Sequence, residues 1–124
     1  MDTIQLETRE DLNKYLETTP CDTTILKFTA SWCKPCKTIA PVVDSLNNDY
    51  FKKGVNFEFI EIDVDCALDL YAFLKKVRMI NGIPALLAYK KNMYNPDTFF
   101  IPFKNATGAD KALVTQFYKE SLGN

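Results

Sequence analysis

No histidine occurs in this chain of 124 residues, and only four cysteines do: Cys21, Cys33, Cys36 and Cys66. Two of them form a C-x-x-C pair, but a zinc site built on that half needs two more ligands. With no imidazole and no second C-x-x-C, only the isolated Cys21 and Cys66 remain to supply them, which argues against a metal. An excess of charge is also missing. Lysine and arginine number 15 against 16 acidic residues, a net charge of −1, so no basic field points to nucleic acid and no acidic tail to a cationic partner. Long apolar runs are absent as well, none approaching the roughly 20 residues that span a bilayer. The start, Met1-Asp2-Thr3-Ile4-Gln5-Leu6-Glu7, has neither a basic n-region nor an apolar h-region. The expectation is a cytoplasmic chain with no nucleic-acid and no membrane partner. No repeat, linker or low-complexity segment divides it, and the length suits one domain over residues 1–124.

What is present is a globular composition, 47% apolar and 25% charged, together with the stretch Trp32-Cys33-Lys34-Pro35-Cys36-Lys37. Two thiols separated by two residues can close a small disulfide ring and open it again. A permanent structural disulfide is the competing reading, but so short a ring constrains little unfolded chain and returns little stability. In a reducing compartment a C-x-x-C is more often catalytic or metal-binding than structural. The preceding Thr24-Ile25-Leu26-Lys27-Phe28-Thr29-Ala30 has the β-branched and aromatic content of a buried strand, and a helix pattern follows. Cys33 thus falls at a strand-to-helix junction, where unpaired N–H groups and the positive helix end favour a thiolate. That makes Cys33 the candidate nucleophile and Cys36, one turn into the helix, the more shielded resolving thiol. Pro35 suits the first helical turn, where a missing N–H costs nothing. Lys34 and Lys37 add positive charge that lowers a thiol pKa further.

Along the rest of the chain, Ile4 to Leu6 reads as a short strand and Thr8 as the cap of a helix carrying Leu12, Tyr15 and Leu16. The long helix after Cys33 contains Pro41. Residues 55–62 alternate as a strand that stops at Asp63, and a helix is expected over Cys66 to Val77. Asn81-Gly82-Ile83-Pro84 is turn chemistry before a strand at Ala85 to Tyr89, and a proline there is either an edge device or a cis peptide. A loop from Lys90 to Asp97 leads to an expected strand at Thr98 to Phe103. Asp110 then caps a last helix with Leu113, Val114, Phe117 and Tyr118 turned inward. Cys21 and Cys66, near element ends, read more readily as small buried hydrophobes than as reactive thiols. Strands alternating with helices imply an α/β layer architecture, parallel at first, with an antiparallel hairpin at one side.

These residues resemble the thioredoxin family. The likeness rests on Ala30-Ser31-Trp32-Cys33-Lys34-Pro35-Cys36-Lys37, on Pro41 within Ile39-Ala40-Pro41, on Asp63 ending a strand and on Gly82-Ile83-Pro84 before the next. It implies a thioredoxin fold, a central mixed sheet of four to five strands with helices on both faces. It also implies a thiol-disulfide oxidoreductase without bound cofactor that acts on protein disulfides through a mixed disulfide and draws electrons from a reductase-like donor. By the same resemblance Pro84 is cis and lies against the cysteines, Ile83 offers its backbone to the substrate, and Gly82, Thr107, Gly108 and Trp32 complete the groove.

One departure from the family pattern stands out. The buried acid six residues before the first cysteine is replaced by Lys27, and the family's lysine on the next strand aligns with Phe59. A buried ammonium is costly unless paired. Glu61, on the same strand face as Phe59, is the expected partner, whereas Glu58 points to the other face. Lys34, Lys37 and Arg78 would make the rim positive. Loss of the acid and the long Lys90 to Asp97 loop leave a second reading open, a binding module or adaptor with little turnover.

Overall fold

Seven residues, Thr23–Thr29, form the strand at the centre of the molecule, and the first six are buried. Burial on both faces explains why this segment, Lys27 apart, is a run of β-branched and apolar residues and not an alternation. In the computed structural model, which describes residues 4–123, the elements are α1 (Arg9–Thr18), β1 (Thr23–Thr29), α2 (Lys34–Lys52), β2 (Phe57–Asp63), α3 (Leu68–Lys76), β3 (Ala85–Lys90), β4 (Lys104–Thr107) and α4 (Lys111–Leu122). A short 3₁₀ turn, Lys91–Met93, follows β3. The sheet order is β2-β1-β3-β4, with β1 parallel to β2 and antiparallel to β3, and β3 antiparallel to β4.

Each face of the sheet carries its own core. Leu26, Phe28, Ile60 and Ile62 meet Leu12 and Leu16 of α1 and Leu70 and Leu74 of α3. Ile25, Leu86 and Ala88 meet Ile39 and Val43 of α2 and Val114, Phe117 and Tyr118 of α4. This is the expected α/β arrangement, a mixed four-stranded sheet with helices on both faces. Thr8 caps α1 as anticipated: its hydroxyl accepts from the Asp11 N–H at 3.1 Å while the Asp11 carboxylate accepts from the Thr8 N–H. Asp110 likewise accepts from the N–H groups of Ala112 and Leu113 at the start of α4. α2 runs on through Pro41. Among the described residues no helix is long and apolar enough to cross a membrane.

Four expectations fail, each for a local reason. Ile4 to Leu6 form no strand. Leu6 is buried in the α1/α3 core, and the Glu7 carbonyl accepts the Leu70 N–H of α3, so this stretch serves a helix start and not a sheet edge. Thr98 to Phe103 form no strand either, the last strand being Lys104–Thr107. Phe99 and Phe100 pack on each other and on Phe73, and Pro102 lacks the N–H a ladder needs; the β-like composition reflects aromatic burial. Leu113 is 44% exposed, because the stripe of Val114, Phe117, Tyr118 and Ser121 faces the sheet and leaves it at the margin. Cys66 is exposed and Cys21 only half-buried, since α3 begins at Leu68 and leaves Cys66 in the preceding turn.

Candidate active site

The topology collects one end of every strand at the same place. The C-terminal ends of the parallel β1 and β2, the N-terminal end of the antiparallel β3 and the C-terminal end of β4 all converge there, and α2 starts from it. Chemistry-bearing residues distant in sequence therefore share one rim.

At the centre, Cys33 is the N-cap of α2, with φ −90° and ψ 106°. Its own N–H donates to the Ala30 carbonyl at 3.1 Å, and its carbonyl accepts the Lys37 N–H at 3.3 Å, the first bond of the helix. The Cys33 Sγ accepts from the Cys36 N–H at 3.2 Å. An otherwise unpaired N–H at the positive end of a helix is thus aimed at this sulfur, which is how a helix N-terminus stabilises a thiolate. Cys33 and Cys36 are joined as a disulfide, their Cα atoms 5.3 Å apart. Cys33 is 4% exposed and Cys36 1%, so the second cysteine is the more shielded, as expected. Pro35 lies at the second helical position, Lys34 and Lys37 point into solvent, and the first turn holds no acidic residue to oppose the thiolate.

On the β3 side, the Ile83–Pro84 peptide is cis and Pro84 is buried. The Pro84 carbonyl accepts the Gly108 N–H at 2.9 Å, and Thr107 stands opposite Ala85 across the β3–β4 ladder. Gly108 has φ +100°, a conformation that side chains rarely adopt. Pro84, Thr107 and Gly108 are therefore brought together at this end of the sheet, with Gly82 and Ile83 just before Pro84 in the chain. Arg78 closes α3 with φ 65° and borders a groove with Lys75, Asn81 and Thr107.

On the β2 side, Trp32 is 67% exposed and its indole N–H donates to Asp65 Oδ2 at 2.9 Å. The Asp65 N–H in turn donates to Asp63 Oδ1 at 2.9 Å, a local turn that fixes the carboxylate. Trp32 is thereby tied to one edge of the sheet while Thr107 and Gly108 lie at the other, with the cysteines between them. Sequence reasoning missed Asp65. The available signal was the parallel pairing of β1 and β2, which puts the residues just past Asp63 beside those just past Thr29; the Val64 N–H bonds the Thr29 carbonyl.

Below the ring lies Lys27. It is paired in register with Glu61, and the Lys27 Nζ to Glu61 Oε2 distance is 3.2 Å. The expected ion pair is formed, but asymmetrically: the Lys27 side chain is 3% exposed and that of Glu61 57%. Lys27 shares its sheet face with Ile25 and Phe59, under α2, whereas Glu58 falls on the face of Ile60. Lys27, Cys36, Lys37, Ala40, Glu61 and Asp63 border one open cavity beneath the first turns of α2.

Comparison with known proteins gives a consistent picture. A family model described as Thioredoxin matches residues 3–118. Thioredoxin-2 of Dictyostelium discoideum is 31% identical over 87 residues, 70% of this chain and 86% of that protein. Thioredoxin H-type of Chlamydomonas reinhardtii is 36% identical over 73 residues, 59% of this chain and 58% of that protein. The crystal structure of the reduced Schistosoma mansoni thioredoxin pre-protein superposes with a TM-score of 0.68 at 28% identity, covering 98% of this chain and 100% of that one.

Proposed function

The chain belongs to the thioredoxin family and is a thiol-disulfide oxidoreductase, and we propose that it reduces disulfides of other proteins with Cys33 as nucleophile and Cys36 as resolving thiol. The observation that carries the assignment of roles is the Cys36 N–H directed at the Cys33 Sγ, at the N-terminus of α2. A reduced Cys33 inherits that donor as a thiolate. Its sulfur attacks one sulfur of the substrate disulfide, forming a mixed disulfide and releasing the other substrate sulfur as a thiolate that takes a proton from solvent. Cys36 then loses its proton and attacks Cys33 Sγ. The ring closes, the second substrate thiolate leaves, and two electrons have passed from the dithiol to the substrate.

In this reading Trp32 and Lys34 border the approach to Cys33, and Pro35 keeps the first turn of α2 in place. The Gly82-Ile83-Pro84 segment offers backbone groups to the substrate chain, with Thr107 and Gly108 beside it. The dithiol is regenerated by a separate reductase-like donor, and the chain works in the cytoplasm as a carrier of electrons for redox homeostasis.

Turnover of a model protein disulfide under excess dithiol tests this directly. The native chain should catalyse reduction, and Cys33→Ser and Cys36→Ser should each lose it. No turnover by the native chain would point to an adaptor that holds its partner in the same groove.

A further inference from the structure

Among the described residues Lys27 is the one buried cation, and the exchange steps above do not use it. Its side chain is 3% exposed, and it borders the same cavity as Cys36. Four charged groups face that cavity: Lys27 from β1, Lys37 from α2, and Glu61 and Asp63 from β2. Formally they cancel, yet they are not equivalent. Lys37, Glu61 and Asp63 are exposed and their fields are screened by water, whereas the Lys27 side chain is almost wholly buried and less screened. Charges in a low-dielectric interior act far more strongly at short range than charges in solvent. The least screened charge bordering the Cys36 side of the ring is therefore positive.

We propose that Lys27, held by Glu61, is a positioning residue that sets the redox poise of the Cys33/Cys36 couple by stabilising the reduced state. This rests on the reading of the pair as an exchanging couple. Opening the ring takes two electrons, delivered by two thiols of a donor such as glutathione, which itself becomes a disulfide. If both cysteines end as thiols the ring takes up two protons; if one stays a thiolate it takes up one. A buried ammonium bordering the same cavity as Cys36 has nothing to stabilise in the neutral disulfide and an anion to stabilise in the reduced form. It therefore pulls the equilibrium toward the reduced form and makes the chain a milder reductant than the same fold without that charge. The proton that Cys36 releases during resolution goes to solvent through the open cavity, since a lysine that already carries its proton cannot accept it.

The test is the equilibrium of the couple with reduced and oxidised glutathione, read by mass spectrometry after acid quenching, for the native chain, Lys27→Met and Glu61→Gln. Lys27→Met removes the charge and keeps the length of the side chain. The expected result is a shift toward the disulfide of about tenfold in the equilibrium constant, equivalent to about 30 mV for a two-electron couple. The pH at which uptake changes from two protons to one should rise with it, a readout that a purely structural role would not move. Glu61→Gln, a change at an exposed site that leaves the cation less compensated, should shift the equilibrium the other way and carries the test if Lys27→Met does not fold. A shift of less than threefold in folded Lys27→Met, or one toward the dithiol, overturns the proposal, as does an unchanged equilibrium in Glu61→Gln. Because no protein substrate is involved, a couple that opens but ignores Lys27 is told apart from one that never opens, which would overturn the functional reading too.

Discussion

The asymmetry of the Lys27–Glu61 pair makes a stability prediction of unusual sign. Removing one partner of a fully buried ion pair costs about 3–5 kcal/mol, because the other charge is left uncompensated in the interior. Glu61→Gln leaves the Lys27 ammonium, 3% exposed, in that position. The cavity beside it is open and Glu61 itself is 57% exposed, so water relieves part of the loss. A cost of about 2 kcal/mol is expected, below the range for a fully buried pair. Lys27→Met does the opposite: it removes the buried charge and its desolvation penalty, fills the space with an unbranched apolar chain, and returns Glu61 to solvent at little cost. That variant should be as stable as the native chain or more stable by about 1 kcal/mol. Urea denaturation of the oxidised proteins at neutral pH, with equal m-values required for comparison, measures both. The reasoning fails if Lys27→Met loses more than about 2 kcal/mol while Glu61→Gln is neutral, for then the lysine stem and not its charge is what matters at the site.

Three further outcomes are expected. Tyr118→Phe deletes the hydroxyl that donates to Asn47 Oδ1 at 2.5 Å in the α2/α4 core, where both residues are buried; losing that donor should cost about 1–3 kcal/mol, seen as a lower Tm in calorimetry. Hydrogen bonds from the Arg9 side chain and N–H hold the Asp69 carboxyl below its usual range. A carboxylate lowered in the folded state stabilises at pH above its unfolded pKa and loses that contribution as pH falls through its folded value, so a Tm-against-pH series should show a smaller acid-side drop for Asp69→Asn than for the native chain. Trp32 is the single tryptophan, so Asp65→Ala, which removes the acceptor of its indole N–H, should lower the fluorescence anisotropy of the whole protein's tryptophan signal without changing far-UV dichroism.

Much of the fold was legible because local pattern and burial agree in its central elements. The β-branched and aromatic content of Thr24 to Ala30 read as a buried strand, and Cys33, Pro35 and Cys36 stand where that strand hands over to a helix. The Lys27–Glu61 pair was readable from period two: residues on one strand face meet the residues of the same face on the parallel neighbour, and a buried lysine demands such a partner. Legibility ended where side chains bury themselves without a ladder. Phe99 and Phe100 look like strand residues but serve an aromatic cluster with Phe73. Leu6 looks like part of a strand but anchors a segment whose carbonyl serves α3. Leu113 and Cys66 were misplaced by a single step in helix phase and a two-residue error in helix start, the kind of boundary that capping by tertiary contacts decides. Asp65 escaped notice because its role depends on the meeting of two turns.

Trapping shows most directly whether Cys33 and Cys36 hold the roles that the helix N-terminus assigns them. Reduced Cys36→Ser and reduced Cys33→Ser are each incubated with a protein disulfide, quenched with acid and mapped by mass spectrometry. A mixed disulfide on Cys33 in the first variant, released by dithiol, and none in the second is the predicted result. An adduct on Cys36 in the second variant with none on Cys33 in the first, or adducts confined to the exposed Cys66, would contradict it.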